Sequence, residues 1–157
     1  MGQKLDMPLV CSPTALQRLF HHDGERAVAR AAEKFGTMFG VSALGTVSLA
    51  EIGQMTSTPK MFQFYFHKDR ALNDAMVERA KAAGFNTLAL TVDTITGGNR
   101  ERDLYTGFTS PPRLTLNSLL SFATHPGWAM NYFLREPFEL AELKDFIQKG
   151  PNVAVSI

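Results

Sequence analysis

Gln63, Tyr65, Thr91 and Asp93 stand at or just beyond the ends of two short apolar runs, residues 60–65 and 87–91. Arg100 follows in the stretch Gly97-Gly98-Asn99-Arg100-Glu101-Arg102-Asp103. Polar groups gathered where buried strands end are how a parallel α/β protein builds a site, and an arginine on the following loop adds an anion anchor. The guanidinium fork can hold a carboxylate through two hydrogen bonds, where a lysine offers only a point charge. A surface ion pair with Glu101 or Asp103 is the competing use of Arg100. Tyr65 can donate to a substrate oxygen or serve as a half-buried packing residue. Gln63 and Thr91 can hydrogen-bond a planar heterocycle or satisfy neighbouring backbone. Together these residues read as a binding site, and the chain as part of an enzyme.

Other chemistries lack their residues. Of the four histidines, His21 and His22 are adjacent and cannot both face one ion from a helix, while His67 and His125 stand alone, so no metal site is expected. The Gly97-Gly98 pair is not followed by the lysine and helix of a phosphate loop, and no serine nucleophile elbow is present. Cys11, the single cysteine, excludes an internal disulfide and reads as a buried thiol in an apolar run. What is left is an anion anchor with cofactor-contacting polar residues, and no evident base.

The elements that must position them follow a βα rhythm. Strands are expected over residues 7–11, 37–41, 61–66 and 87–92, the last apolar on both faces as if helices covered both. A helix over residues 24–35 has Ala27, Val28, Ala31, Ala32 and Phe35 at helical spacing. Ser48 and Glu51 suggest a capping box opening a second helix to about Met55. Asp69 caps a third, with Leu72, Met76, Val77 and Ala80 on one face and Gly84 as its stop. After Asp93 the rhythm fails through residues 94–137, an excursion too long to be a simple connection, before a helix over residues 139–147. The chain of 157 residues, 45% hydrophobic and with net charge +1, reads as one soluble unit with no attraction to nucleic acid. The start lacks the apolar core of a signal peptide, and no stretch reaches the ~18 apolar residues of a membrane span, so the expected location is cytoplasmic. The apolar and aromatic stretch 114–134 is broken at His125-Pro126-Gly127 and leaves open an amphipathic element lying on a membrane or a partner.

The segments Ser12-Pro13-Thr14-Ala15, Gly36-Thr37 leading to Ser42, Phe62-Gln63-Phe64-Tyr65, Leu90-Thr91-Val92-Asp93-Thr94 and Arg100-Glu101-Arg102-Asp103 occur in an order that resembles the FMN-dependent 2-hydroxy-acid dehydrogenases and oxidases. That family includes L-lactate dehydrogenases, glycolate oxidase and flavocytochrome b2. Gly107-Phe108 and Pro111-Pro112-Arg113 look most like the bacterial L-lactate dehydrogenase branch. The resemblance implies an α/β fold, a (β/α)8 TIM barrel with FMN at its C-terminal mouth. This chain would supply only the N-terminal half: four βα units over residues 1–93, then the long segment after strand four over residues 94–157. The 152–157 stretch would then lie inside that segment and not be a fifth strand.

Position by position, the resemblance implies that Pro13, Thr14, Ala15, Ser42, Gln63 and Thr91 contact FMN, that Tyr65 contacts the substrate oxygen and that Arg100 binds its carboxylate. The implied reaction converts L-lactate or a similar 2-hydroxy acid to the 2-oxo acid, passing electrons to a quinone, a cytochrome or oxygen. The family's base histidine, flavin-side lysine and second arginine come late in its chains, beyond the position of Ile157, and no histidine here matches the base. The expectation is therefore an incomplete copy, inactive alone, whose complete form is a homo-oligomer, with attachment to the inner face of the cell membrane left open. Leu44 and Gly97 stand where glycolate-oxidising relatives carry larger groups, which favours lactate or a longer acid over glycolate. A non-catalytic half-barrel that oligomerises or binds a partner is the alternative. Another phosphate-binding barrel, such as inosinate dehydrogenase or a dihydroorotate oxidase, does not explain the segment 62–65 together with 100–103.

Overall fold

The apolar runs become four strands, β1 (Val10–Cys11), β2 (Met38–Ser42), β3 (Lys60–Tyr65) and β4 (Thr87–Thr91), in a computed structural model that describes residues 2–93, 98–107, 115–137 and 139–144. All pairings are parallel and the order is β1-β2-β3-β4. Each crossover therefore advances in the same direction. That is the winding of a (β/α)8 barrel, because a doubly wound sheet reverses its order at a switch point. β1 is shorter than the expected 7–11, since Pro8 has no N–H to give a ladder and Leu9 N–H turns back to Met7 O at 2.8 Å.

The helices are α1 (Gln17–Phe20), α2 (Glu25–Lys34), α3 (Leu49–Met55), α4 (Arg70–Ala82), α5 (Glu101–Thr106), α6 (Leu116–Thr124) and α7 (Pro126–Leu134). Asp69 caps α4 by accepting from the N–H groups of Ala71 and Leu72, and Gly84 follows at φ 75°, where a side chain would be strained. Ser48 accepts from Glu51 N–H, but the expected reciprocal half of the capping box is replaced: the Glu51 carboxylate pairs with Arg26 on α2. On α2 the expected stripe holds in part: Ala32 is buried and Val28 packs against the core, whereas Ala31 and Phe35 (54%) are exposed and Glu25 and Ala29 are buried as well. Phe35 is the C-cap beyond the last helical residue, so it does not continue the α2 face.

Register fixes which side chains share a face. Val41, Phe62 and Leu88 form one row and Phe64 and Leu90 the next, on the face that the helices cover. There Phe39, Val41, Phe62 and Phe64 pack with Ala29, Ala32, Ile52, Leu72, Met76 and Phe85. Fully burying a Phe stabilises by roughly 1.5–3 kcal/mol, and Phe62→Ala would cost about 3–5 kcal/mol by leaving a cavity. The expectation that helices cover both faces of strand four is corrected: Leu88 and Leu90 are 50% and 52% exposed, because no described helix follows β4 onto that row. The excursion is corrected too, since it contains α5, α6 and α7. Each is short; Thr115 caps α6 in a reciprocal box with Ser118, and Pro126 stands at the start of α7. The break at 125–127 separates α6 from α7 as expected, and among the described residues no helix is long and apolar enough to cross a membrane. Residues 141–143 form a turn, with Leu143 in the core and Ala141 N–H bonded to Gly45 O at 3.1 Å. Gly97, Phe108, the 111–113 motif, the end of the expected helix 139–147 and the 152–157 stretch lie outside the described residues.

Candidate functional site

Opposite the helix-covered face, the register places Ser42, Gln63 and Ala89 in one row, with Tyr65 and Thr91 in the next, all at the C-terminal ends of their strands. These side chains join into one chain of hydrogen bonds. The Ser42 hydroxyl donates to Gln63 Oε1 at 3.0 Å, and Gln63 Nε2 donates to Thr91 Oγ1 at 2.7 Å. Ser42 Oγ also accepts from Leu44 N–H at 3.2 Å, which ties the turn after β2 to the row. Ser42 and Gln63 are buried, and Gln63 Nε2 keeps a second N–H beyond the one used here.

The residues after β1 come to the same end of the sheet. A Cβ placed on Gly40 would lie 2.8 Å from Pro13 Cδ, 3.0 Å from Cys11 O and 3.0 Å from Met61 Cε. A glycine there is what lets Pro13 lie close over β2. Thr14 Oγ1 accepts from Gln17 Nε2 at 2.8 Å, and Ala15 is half-buried. Leu16, at the start of α1, has φ 54°, the one positive φ outside glycine among the described residues. Strain of that kind persists only where surrounding bonds hold it.

Tyr65 pairs with Thr91 in the ladder, is half-buried and packs against the core cluster. The asparagine Asn73 clamps the loop beyond it, accepting His67 N–H and donating to His67 O, both at 2.9 Å. Arg100 is exposed at the start of α5, and among the described residues it pairs with neither Glu101 nor Asp103. The structure thus brings Ser42, Gln63, Thr91 and Tyr65 together, sets Pro13 against Gly40, and leaves Arg100 out of hydrogen-bond contact with any of them. The row suits the edge of a flat heterocycle that alternates carbonyls with N–H groups, because the hydroxyls can donate or accept and the amide does both.

Reading the sequence missed Glu25, Thr46 and Gly40. Gly40 carried the signal of a glycine inside a strand, whereas Glu25 resembles any acidic residue opening a surface helix and yet is wholly buried. His21, His22 and Asp23 lie on a turn and not on a helix, with ligand atoms within 4.8 Å of one another. That group already has internal work: Asp23 pairs with Arg30 at 2.7 Å and gives its N–H to His21 Nδ1. A groove of about 520 Å³, lined by Gly53, Arg79, Ala83 and Glu142, lies among the helices and not at the strand ends.

Comparison with known proteins bears on this geometry. Residues 1–155 match the family described as FMN-dependent dehydrogenase. The chain is 43% identical over 118 residues to glycolate oxidase 1 of Zea mays, covering 75% of this chain and 32% of that protein. It is 46% identical over 127 residues to an L-lactate oxidase of Nostoc sp., covering 78% and 35%. Among solved structures, the monotopic membrane protein (S)-mandelate dehydrogenase superposes with a TM-score of 0.81 at 32% identity, over 88% of this chain and 37% of that one. The chain spans about a third of the length of these relatives.

Proposed function

The chain belongs to the family of FMN-dependent dehydrogenases, and on that premise we propose that Ser42, Gln63 and Thr91, with the Pro13-Thr14-Ala15 turn, hold the flavin of an L-2-hydroxy-acid oxidoreductase. Tyr65 and Arg100 hold its substrate. The observation that carries the reading is the Ser42–Gln63–Thr91 chain across three neighbouring strand ends. When bound, FMN supplies acceptance of the 2-hydrogen with its two electrons while a base takes the 2-hydroxyl proton, so that a 2-hydroxy acid becomes a 2-oxo acid.

This chain's residues bind and orient. Gln63, held at its amide oxygen by Ser42 and at its amide nitrogen by Thr91, would offer its remaining N–H to the flavin. Tyr65 donates to the substrate oxygen, and the Arg100 guanidinium, without an ion pair among the described residues, takes the carboxylate. The base belongs, by the family resemblance, to the part of the enzyme that this third of its length does not cover. Residues 1–93 as four barrel units and 94–157 as the segment after strand four belong to the same proposal. The relatives described above are oxidases and dehydrogenases, which favours an enzyme over an interaction module.

Leu44 leaves room beside C3 of the substrate and favours L-lactate over glycolate; in the whole enzyme Leu44→Trp shifts turnover toward glycolate, by the equivalent of about 1–3 kcal/mol at most. An unchanged ratio would contradict that preference. The exposed Leu116, Leu119, Leu120, Met130, Phe133 and Leu134 of α6 and α7 support lying against the inner face of a membrane. Vesicle sedimentation that Leu120→Asp leaves unchanged would count against it. The substrate half is tested by adding pyruvate to the FMN-loaded chain and following flavin absorbance. Arg100→Lys weakens the response about tenfold or more, as expected when a two-point grip is lost; equal affinities would remove Arg100 from the site.

A further inference from the structure

Glu25 opens α2 and is 0% exposed. Its carboxyl reaches across to the turn after β2, where Oε1 accepts from Thr46 N–H at 2.7 Å and Oε2 from the Thr46 hydroxyl at 2.6 Å. That hydroxyl in turn accepts the backbone N–H of Arg18 at 3.2 Å. One turn earlier, Leu16 N–H donates to Leu44 O at 3.1 Å. The segment after β1 and the segment after β2 are therefore laced to each other, and the lacing ends on one buried acidic side chain.

Details of both segments depend on it. Thr46 Oγ1 can accept from Arg18 in a fixed direction because its own proton is committed to Glu25. Gly45 passes between them, since a Cβ there would lie 2.9 Å from Ser42 O and 3.4 Å from Glu25 Oε1. Leu16 keeps its φ of 54° on the same stretch, a conformation that needs outside bonds to persist. A polar group this deeply buried costs stability unless its bonds are complete, and the helix N-terminus on which Glu25 sits favours an acidic group. A surface role does not account for it.

The laced segments carry Pro13, Thr14 and Ala15 on one side and Ser42 and Leu44 on the other. We infer that Glu25 is a positioning residue of the flavin site, setting both flavin-facing loops through Thr46. Its role toward the flavin rests on the proposed function; its hold on the loops rests on the hydrogen bonds alone.

Amide hydrogen exchange on the full chain, with and without FMN, tests this in Thr46→Val, Thr46→Ser and Glu25→Gln. Thr46→Val keeps the shape but removes the hydroxyl, and Thr46→Ser keeps the hydroxyl. Exchange at Leu16, Arg18 and Leu44 should quicken by about tenfold in Thr46→Val and Glu25→Gln, the loss of about one buried hydrogen bond, while Phe62 and Phe64 stay protected. Thr46→Ser should behave as the wild type. FMN dissociation constants, from quenching of flavin fluorescence, should rise in the same variants and recover in Thr46→Ser. Unchanged exchange at the loops, or equal quickening in β3, would overturn the inference, because Glu25 would then serve general stability. A wild-type chain that takes up no FMN would instead overturn the proposed function, and the exchange pattern would still decide whether Glu25 holds the loops. Should Glu25→Gln fail to fold, the Thr46 pair carries the same decision.

Discussion

The two ends of the parallel sheet use polar residues in opposite ways. At the N-terminal ends, side chains close on themselves. The Glu33 carboxylate accepts from the Thr56 hydroxyl, from Ser57 N–H at 2.8 Å and from the Ser57 hydroxyl at 2.9 Å, and the buried Lys60 ammonium donates to Thr56 O at 2.8 Å and Thr58 O at 3.1 Å. At the C-terminal ends the Ser42–Gln63–Thr91 chain keeps unused capacity, and glycine at 40 leaves space that Pro13 fills from one side. A closed network contributes stability; an open one waits for a ligand. The difference separates residues that hold the fold from the residues proposed above to hold FMN, although both sets lie in polar clusters beside strands.

Gly40→Ala should break the open end most. Its methyl would meet a proline ring and a backbone carbonyl at or inside 3.0 Å, neither of which can move like a flexible side-chain tip, so a stability loss of about 1–3 kcal/mol is expected. FMN affinity should fall with it as Pro13 is displaced. Urea unfolding and flavin titration read the two effects, and a variant that binds FMN normally would show that Pro13 does not need this contact.

Lys60→Met should cost a similar or smaller amount, about 1–3 kcal/mol, by leaving two carbonyls without their donor. Burial already pushes the Lys60 ammonium below its ordinary pKa, so the charge is held at some cost. Flavin affinity should not change, and a parallel loss of binding would erase the distinction between the two ends.

Glu33→Gln should have the smallest effect and a recognisable pH dependence. Hydrogen bonds from Thr56 and Ser57 hold the Glu33 carboxyl down from 4.5 to about 2. A depressed acid contributes stability that is complete above the unfolded value and lost as pH falls through the folded one. The urea midpoint of wild type should therefore exceed that of Glu33→Gln at neutral pH, and the gap should close between about pH 4.5 and pH 2. A gap that is constant over that range would mean that the ionised carboxylate is not what matters.

The open end was the more legible of the two in the sequence. Ser42, Gln63 and Thr91 stand at the ends of apolar runs, where a parallel fold collects its polar groups, and the motifs around them carry a family pattern. Asp69 and Gly84 were legible because caps and stops act through local backbone geometry. Glu25 was not, since its partner Thr46 is 21 positions away and an acidic residue opening a helix looks solvated. The exposure of Leu88 and Leu90 was equally hidden: their apolar character is that of a covered strand, and what covers a strand is decided by tertiary neighbours. The start of α6 was hidden because Thr115 and Ser118 form a capping box without the acidic residue that usually marks one, and α7 begins at Pro126 without a side-chain cap.

The central claim is that the Ser42–Gln63–Thr91 chain is a flavin-binding edge. It is tested most directly by titrating FMN into the wild-type chain, Gln63→Leu and Lys60→Met, and following flavin fluorescence. Saturable binding by wild type and Lys60→Met, with Gln63→Leu weakened by about tenfold or more, is the predicted result. Equal binding by Gln63→Leu, or no binding by the wild-type chain, would contradict it.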